Sequence, residues 1–137
     1  MRCADFLGTW QITREIDDAL SGAARFAGLA RITQPEGGAQ AAWTYAETGS
    51  LTLASGHRMQ AERRYLWHPE AGGFRIAFAD GRAFHHLRFG AGAQDAHWCD
   101  PDQYDVTYAL QDWPHWCSTW RVRGPRKDYT MTTHYRR

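Results

Sequence analysis

Lysine is almost missing from this chain: of its 16 basic residues only Lys127 is not arginine. Arginine makes planar, two-pronged contacts with carboxylates and stacks on rings, although a GC-rich coding bias produces the same skew. Charge of one sign is also lacking, since 15 acidic residues offset the 16 basic ones. That balance removes the bulk electrostatic case for a nucleic-acid partner. Only three cysteines occur, at 3, 99 and 117, an odd and loosely spaced set that does not describe a disulfide framework. The opening Met-Arg-Cys-Ala-Asp lacks the apolar run of a secretory leader. No apolar stretch approaches the roughly 20 residues of a membrane span. These absences lead us to expect a cytoplasmic protein with no membrane partner. Catalytic signatures are missing too. There is no Gly-x-Ser-x-Gly, no glycine-rich phosphate loop and no His-Glu-x-x-His. No linker, low-complexity tract or long repeat interrupts the 137 residues, so 1–137 reads as one domain.

What the chain does have is aromatic residues and alternation. Seven Trp, six Tyr and six Phe are distributed over short segments bounded by Gly, Pro and Asp. Trp10, Ile12 and Ile16 alternate with polar residues and predict a half-buried strand over 7–16. Residues 17–24 read as a loop, with room for one helical turn. Further strands are predicted at 25–34, 40–53 and 57–68, with a turn at Pro35–Gly38 and a kink at Gly49. Pro69 to Gly73 reads as a turn. Residues 74–78 and 82–90 flank the hairpin signal Asp80-Gly81, and 91–101 reads as irregular. Tyr104 to Leu110, Trp116 to Val122 and Tyr129 to Tyr135 complete nine candidate strands. The turn between the last two is placed at Gly124–Asp128. The expected fold is all-β: an antiparallel up-and-down barrel of about eight to nine strands. Short local connections favour that order and closure removes exposed edges. A two-sheet sandwich is the alternative.

Gly8-Thr9-Trp10 resembles the first-strand motif of lipocalins and fatty-acid-binding proteins. The resemblance implies that Trp10 plugs the closed end of a calycin-type barrel, with a late-strand arginine, Arg123 or Arg136, over its ring. Over nearly its whole length the chain resembles a bacterial family of uncharacterised lipocalin-like proteins. That similarity rests on Phe6–Trp10, Ala61–Trp67, Phe78–Arg82 and Trp120–Tyr129. It implies the fold and carries over no catalytic residue.

Charges on apolar faces are the sharpest functional signal. Arg14 shares its parity with Trp10 and Ile12, Glu47 with Trp43 and Tyr45, and Arg63 with Tyr65 and Trp67. Inside a barrel such groups must pair with one another or meet water or a ligand. They form either a structural salt bridge or a site for a carboxylate or phosphate. His85 shares parity with Leu87 and Phe89 and is expected to face inward, with Phe84 and His86 outward. The tripeptide His-Trp-Cys occurs at 97–99 and at 115–117. Each copy could offer two metal ligands on one face, but the copies are too far apart along the strands to combine, and no metal site is expected. No cofactor is expected either. Haem on the late-strand His134 is a lesser option, disfavoured because His134 lies on the outward parity. Arg121, Arg123, Arg126 and Lys127 could join Arg136 and Arg137 in a basic rim.

The expected function is binding of a small, partly hydrophobic, anionic ligand inside the barrel. The expected contacts are Arg14, Trp43, Tyr45, Glu47, Arg63, Tyr65, Trp67, Phe78, His85, Tyr104, Tyr108 and Trp120. Two other classes remain open: a barrel isomerase or lyase using His85 with Glu47 or Asp80 as acid and base, and a solid barrel that binds a protein partner through its basic rim. Oligomeric state is not legible.

Overall fold

The computed structural model describes residues 1–37 and 41–137. After a single 3-10 turn, Cys3–Phe6, ten strands follow in chain order. They are β1 Gly8–Asp18, β2 Gly22–Thr33, β3 Trp43–Thr52, β4 Arg58–Glu70 and β5 Gly73–Phe78. Then come β6 Ala83–Arg88, β7 Gln94–Cys99, β8 Asp102–Ala109, β9 Trp116–Gly124 and β10 Lys127–Arg136. Every pairing is antiparallel, and the spatial order is β6-β5-β4-β3-β2-β1-β10-β9-β8-β7. Chain neighbours are thus sheet neighbours, and one long-range junction, β1 with β10, turns the meander back on itself. The result is the all-β, nearly closed, up-and-down barrel expected from the alternation. Among the described residues no helix is long and apolar enough to cross a membrane.

The remaining gap lies between β6 and β7, which do not share a backbone ladder. A side chain bridges it: the His86 backbone N–H donates to Asp95 Oδ2 at 2.6 Å. The Asp95 carboxylate stands in for a partner strand's carbonyl and satisfies an edge amide that would otherwise be orphaned.

Several boundaries correct the sequence reading. Residues 91–101, expected to be irregular, contain β7. Its Asp95 and His97 stand where apolar residues would signal the buried face, so the alternation is masked. The expected loop at 17–24 is a tight hairpin in which β1 reaches Asp18 and β2 resumes at Gly22. The turn expected at Pro69 to Gly73 is narrower, because β4 continues through Pro69, opposite Phe74. Proline is tolerated there because the β3 ladder already ends at Trp67. The turn expected at Gly124–Asp128 shrinks to Pro125 and Arg126. Gly38, and Gln40 at the expected start of the third strand, lie outside the described residues.

One glycine pair shapes the wall. Gly28 on β2 opposes Gly49 on β3. A Cβ on Gly28 would sit 2.1 Å from the Thr48 carbonyl oxygen, and one on Gly49 2.3 Å from the Ala27 carbonyl oxygen. The backbones approach too closely there for any side chain, and in place of the expected kink β3 keeps its register to both neighbours through Gly49.

The closed end is an aromatic plug. Phe6, Trp10, Phe74 and Trp116 are fully buried, with edge-to-face contacts at 5.3–5.8 Å linking Phe6 and Trp10 to Trp116. Trp10 Nε1–H donates to the Phe6 carbonyl at 2.9 Å. The arginine over the Trp10 ring is neither Arg123 nor Arg136 but Arg137, whose guanidinium carbon lies 3.9 Å from the ring centroid. Arg137 also donates to the carbonyls of Asp5 and Leu7. One residue past the last strand, Arg137 keeps the parity of Thr133 and Tyr135 and comes level with Trp10, since Gln11 is paired with Arg136.

Candidate functional site

Above the plug lies a cavity of about 280 Å³ that opens at the opposite end. Strand alternation places its walls. β1 contributes Arg14, β3 Tyr45 and Glu47, β4 Arg63, Tyr65 and Trp67, and β8 Tyr104 and Tyr108. Phe78, His85 and Trp120 complete the sequence-expected set on this surface. Trp43 is the exception: it packs on Phe74 at 5.4 Å, deep in the closed end, and it does not line the cavity. Parity placed Trp43 inward correctly, but only its height along β3 decides between plug and cavity.

Residues missed from the sequence are also brought here, chiefly Phe84, Ser118, Val122, Tyr129, Met131, Thr133 and Tyr135. Phe84 was expected to face outward. The β5–β6 register jumps so that Ile76 faces His85 while Ala77 faces Ala83. Phe84 is the extra residue of that bulge, and the local twist turns it inward beside His85. Ser118, Thr133 and Tyr135 were legible in principle, because each shares parity with an apolar residue already assigned inward.

At mid-height a polar layer crosses the barrel. The Arg14 guanidinium grips Glu47 with two hydrogen bonds, Nη1 to Oε1 at 2.7 Å and Nη2 to Oε2 at 2.9 Å. Arg14 Nε donates to Thr133 Oγ1 at 2.7 Å, and its guanidinium carbon lies 5.2 Å from the Phe26 ring centroid. Tyr45 OH donates to Glu47 Oε2 at 2.6 Å. Tyr135 OH, 3.0 Å from Tyr45 OH, donates in turn, since the Tyr45 proton is already committed. Arg14 and Glu47 are both buried, so each needs the other to remain charged. Burial pushes the Glu47 carboxyl up, but the Arg14 fork, the Tyr45 hydroxyl and the nearby Arg63 charge more than reverse this and hold it below the usual range. Burial opposes the Arg14 charge as well, and Glu47 again prevails. Burial and the Glu47 charge push the Tyr135 hydroxyl up to about 12.

Arg63 is different. Its Nε lies 3.5 Å from Glu47 Oε1 and its Nη1 3.5 Å from Tyr65 OH. Its side chain is 46% exposed against 2% for Glu47, and it sits on the mouth side of the pair. Facing the interior, Phe84 stacks on Phe78 at 4.3 Å and on Trp120 at 5.1 Å, the planes within 16° and 20° of parallel.

His85 is buried, as expected, with its Nε2 2.6 Å from Tyr108 OH. Its Nδ1 has no hydrogen-bond partner among the described residues. Burial lowers its pKa to about 3, so the ring is neutral at physiological pH and poorly suited to act as a base there. Neither carboxylate suggested for it is in contact: Glu47 is held by Arg14 and Tyr45, and Asp80 pairs with Arg82 on an exposed turn.

The other expected clusters are dispersed. His97 faces the mouth beside Phe84, whereas His115 and His134 meet each other on the outer wall at 3.1 Å. His134 therefore points away from the interior that haem would occupy. Among the described residues no group of three His, Cys, Asp or Glu side chains is arranged around a metal position. The basic rim does not form as one patch. Arg136 and Arg137 stand at the closed end, and Arg121, Arg123, Arg126 and Lys127 at or near the open end. There Arg121 pairs with Asp128, Arg123 with Asp105 and Lys127 with Asp102.

No curated protein significantly matches the sequence. Among solved structures, the chain is similar to the S-type phycobiliprotein lyase CPES from Guillardia theta, with a TM-score of 0.66 at 9% identity. The superposition covers 96% of this chain and 86% of the lyase, and the shared feature is the lipocalin-like barrel. A family model matches residues 6–137, and the chain accordingly belongs to the family of unknown function DUF6314.

Proposed function

We propose that the barrel binds one small, partly hydrophobic, anionic ligand in its open cavity. The observation that carries this reading is a pair of guanidiniums facing a single carboxylate inside an aromatic-walled space of about 280 Å³. Apolar walls with a few fixed polar groups are the ordinary makeup of a ligand site. Arg63, Tyr65, Phe78, Tyr104 and Trp120 would make the contacts near the mouth, with Tyr45, Glu47, Arg14, Trp67, His85 and Tyr108 shaping the inner end. The fold is shared with a protein titled a phycobiliprotein lyase, and this is compatible with ligand binding in the barrel. The acid–base alternative loses support because His85 is held neutral without a carboxylate partner. The interaction-module alternative loses support because the interior is not filled, the basic rim is split between the two ends, and three of the four cations at the open end are paired. A cytoplasmic setting fits the three free thiols.

Native mass spectrometry of protein purified from its own host tests the reading. The expected result is a stoichiometric small molecule that is lost on denaturation. A bare polypeptide mass, together with no thermal shift from any aromatic acid, would overturn it.

A further inference from the structure

We infer that Arg63 reads the ligand's anionic group at the mouth, and that the ligand is a flat aromatic or conjugated monocarboxylate held with its charged end outward. This rests on the binding function proposed above and adds the ligand's class, charge and orientation.

Most hydrogen-bond donors of the polar layer are already used. Three Arg14 nitrogens are committed to Glu47 and Thr133 at 2.7–2.9 Å. Glu47 accepts from Arg14 on both oxygens and from Tyr45 as well. A ligand carboxylate entering that layer would have to displace Glu47 and leave it buried and unpaired, at a cost of several kcal/mol. Arg63 faces no such conflict. Both of its contacts are 3.5 Å long, an ion pair at a distance and a marginal hydrogen bond. Among the described residues it has no closer polar partner, so its planar donor edge is available to a carboxylate.

Charge fixes the number of anionic groups. The cavity wall holds two guanidiniums, one carboxylate and a neutral His85, and Lys127, which donates to the Tyr104 hydroxyl, is balanced by Asp102, which leaves one positive charge. A monocarboxylate cancels it. A second carboxylate would have to be desolvated with no cation left to receive it.

Shape fixes the body. Phe84 is stacked between Phe78 and Trp120, so the three rings turn their edges to the cavity, and ring edges pack well against the face of another flat ring. Arg63 lies nearer the mouth than the Arg14–Glu47 layer, and the stacked Tyr45 and Trp67 rings (5.2 Å, 3°) back that layer toward the plug. The ring body therefore points inward and the carboxylate outward.

Three probes separate the possibilities: naphthoate, its neutral isostere naphthamide, and naphthalene dicarboxylate. They are titrated by calorimetry into the full chain and into Arg63→Gln and Arg63→Lys. A charge-assisted fork predicts that wild type prefers naphthoate over naphthamide by at least about tenfold and over the dicarboxylate as well. Arg63→Gln should bring naphthoate and naphthamide within about twofold of each other, and Arg63→Lys should restore part of the preference. Unchanged far-UV circular dichroism and melting temperature show that the variants are folded. In NMR, the ring edge farthest from the carboxylate should show cross-relaxation with Tyr108 protons. Equal affinity for naphthoate and naphthamide, an undiminished preference in Arg63→Gln, an equally bound dicarboxylate, or a carboxylate-side contact with Tyr108 would each overturn this inference while leaving the cavity reading standing. No binding by any probe would overturn both.

Discussion

At the level of single residues, the Arg14–Glu47 pair dominates the energetics of the interior. Glu47→Gln strips the guanidinium of its counter-charge in a dry site. We expect a loss of about 3–5 kcal/mol in urea unfolding, and much less for the double change Arg14→Met with Glu47→Leu, which removes both charges. His85 sets the response to acid. Its folded pKa, about 3, is depressed below the ordinary 6.5, so below pH 6.5 the unfolded chain takes up a proton that the native chain refuses. Stability should therefore fall as pH drops from 6.5 toward 3, with a limiting slope of about 1.4 kcal/mol per pH unit. Glu47, whose folded pKa is also depressed, adds to the loss as the pH falls below its ordinary 4.5. His85→Phe should flatten the upper part of that decline in pH-dependent melts. These interior charges were readable because a charged residue on an apolar parity is conspicuous. What could not be read was which of the two arginines Glu47 would hold, since that depends on the height of each residue once the strands are staggered.

Among the elements, the junctions differ in how they are tied. Most strands were legible because hairpins with local turns leave a period of two intact. β7 was not, because Asp95 serves the gap rather than the core and Trp98 faces outward, 60% exposed. The inward turn of Phe84 was hidden for a related reason: a one-residue bulge reverses parity without any mark in the sequence. Asp95→Ala removes the acceptor for the His86 amide. Hydrogen exchange at His86 should then accelerate by at least about tenfold while amides in β1 and β10 hold their rates, as expected for a local opening. At the other end, Arg137→Ala withdraws both a cation–π contact and a cap on two carbonyls. A loss of about 1–2 kcal/mol is expected from thermal melts.

Across the whole molecule, order along the barrel axis runs from apolar plug to paired charges to open aromatic mouth. Native-state exchange should follow that axis. Amides of β9 and β10 near Trp116 and Tyr135 should exchange only through global unfolding, and the mouth-side hairpins through smaller openings. The architecture was legible from strand count and turn placement. The cavity was not, because a sequence gives the direction of a side chain and not the space its neighbours leave behind. The unlaced gap bears on that space. A hoop that is fastened all round resists stretching equally at every point, but one with a single slit spreads there first. A guest bulkier than the resting interior would widen the wall along β6 and β7, stretching the Asp95 clasp before any ladder of amides gives way.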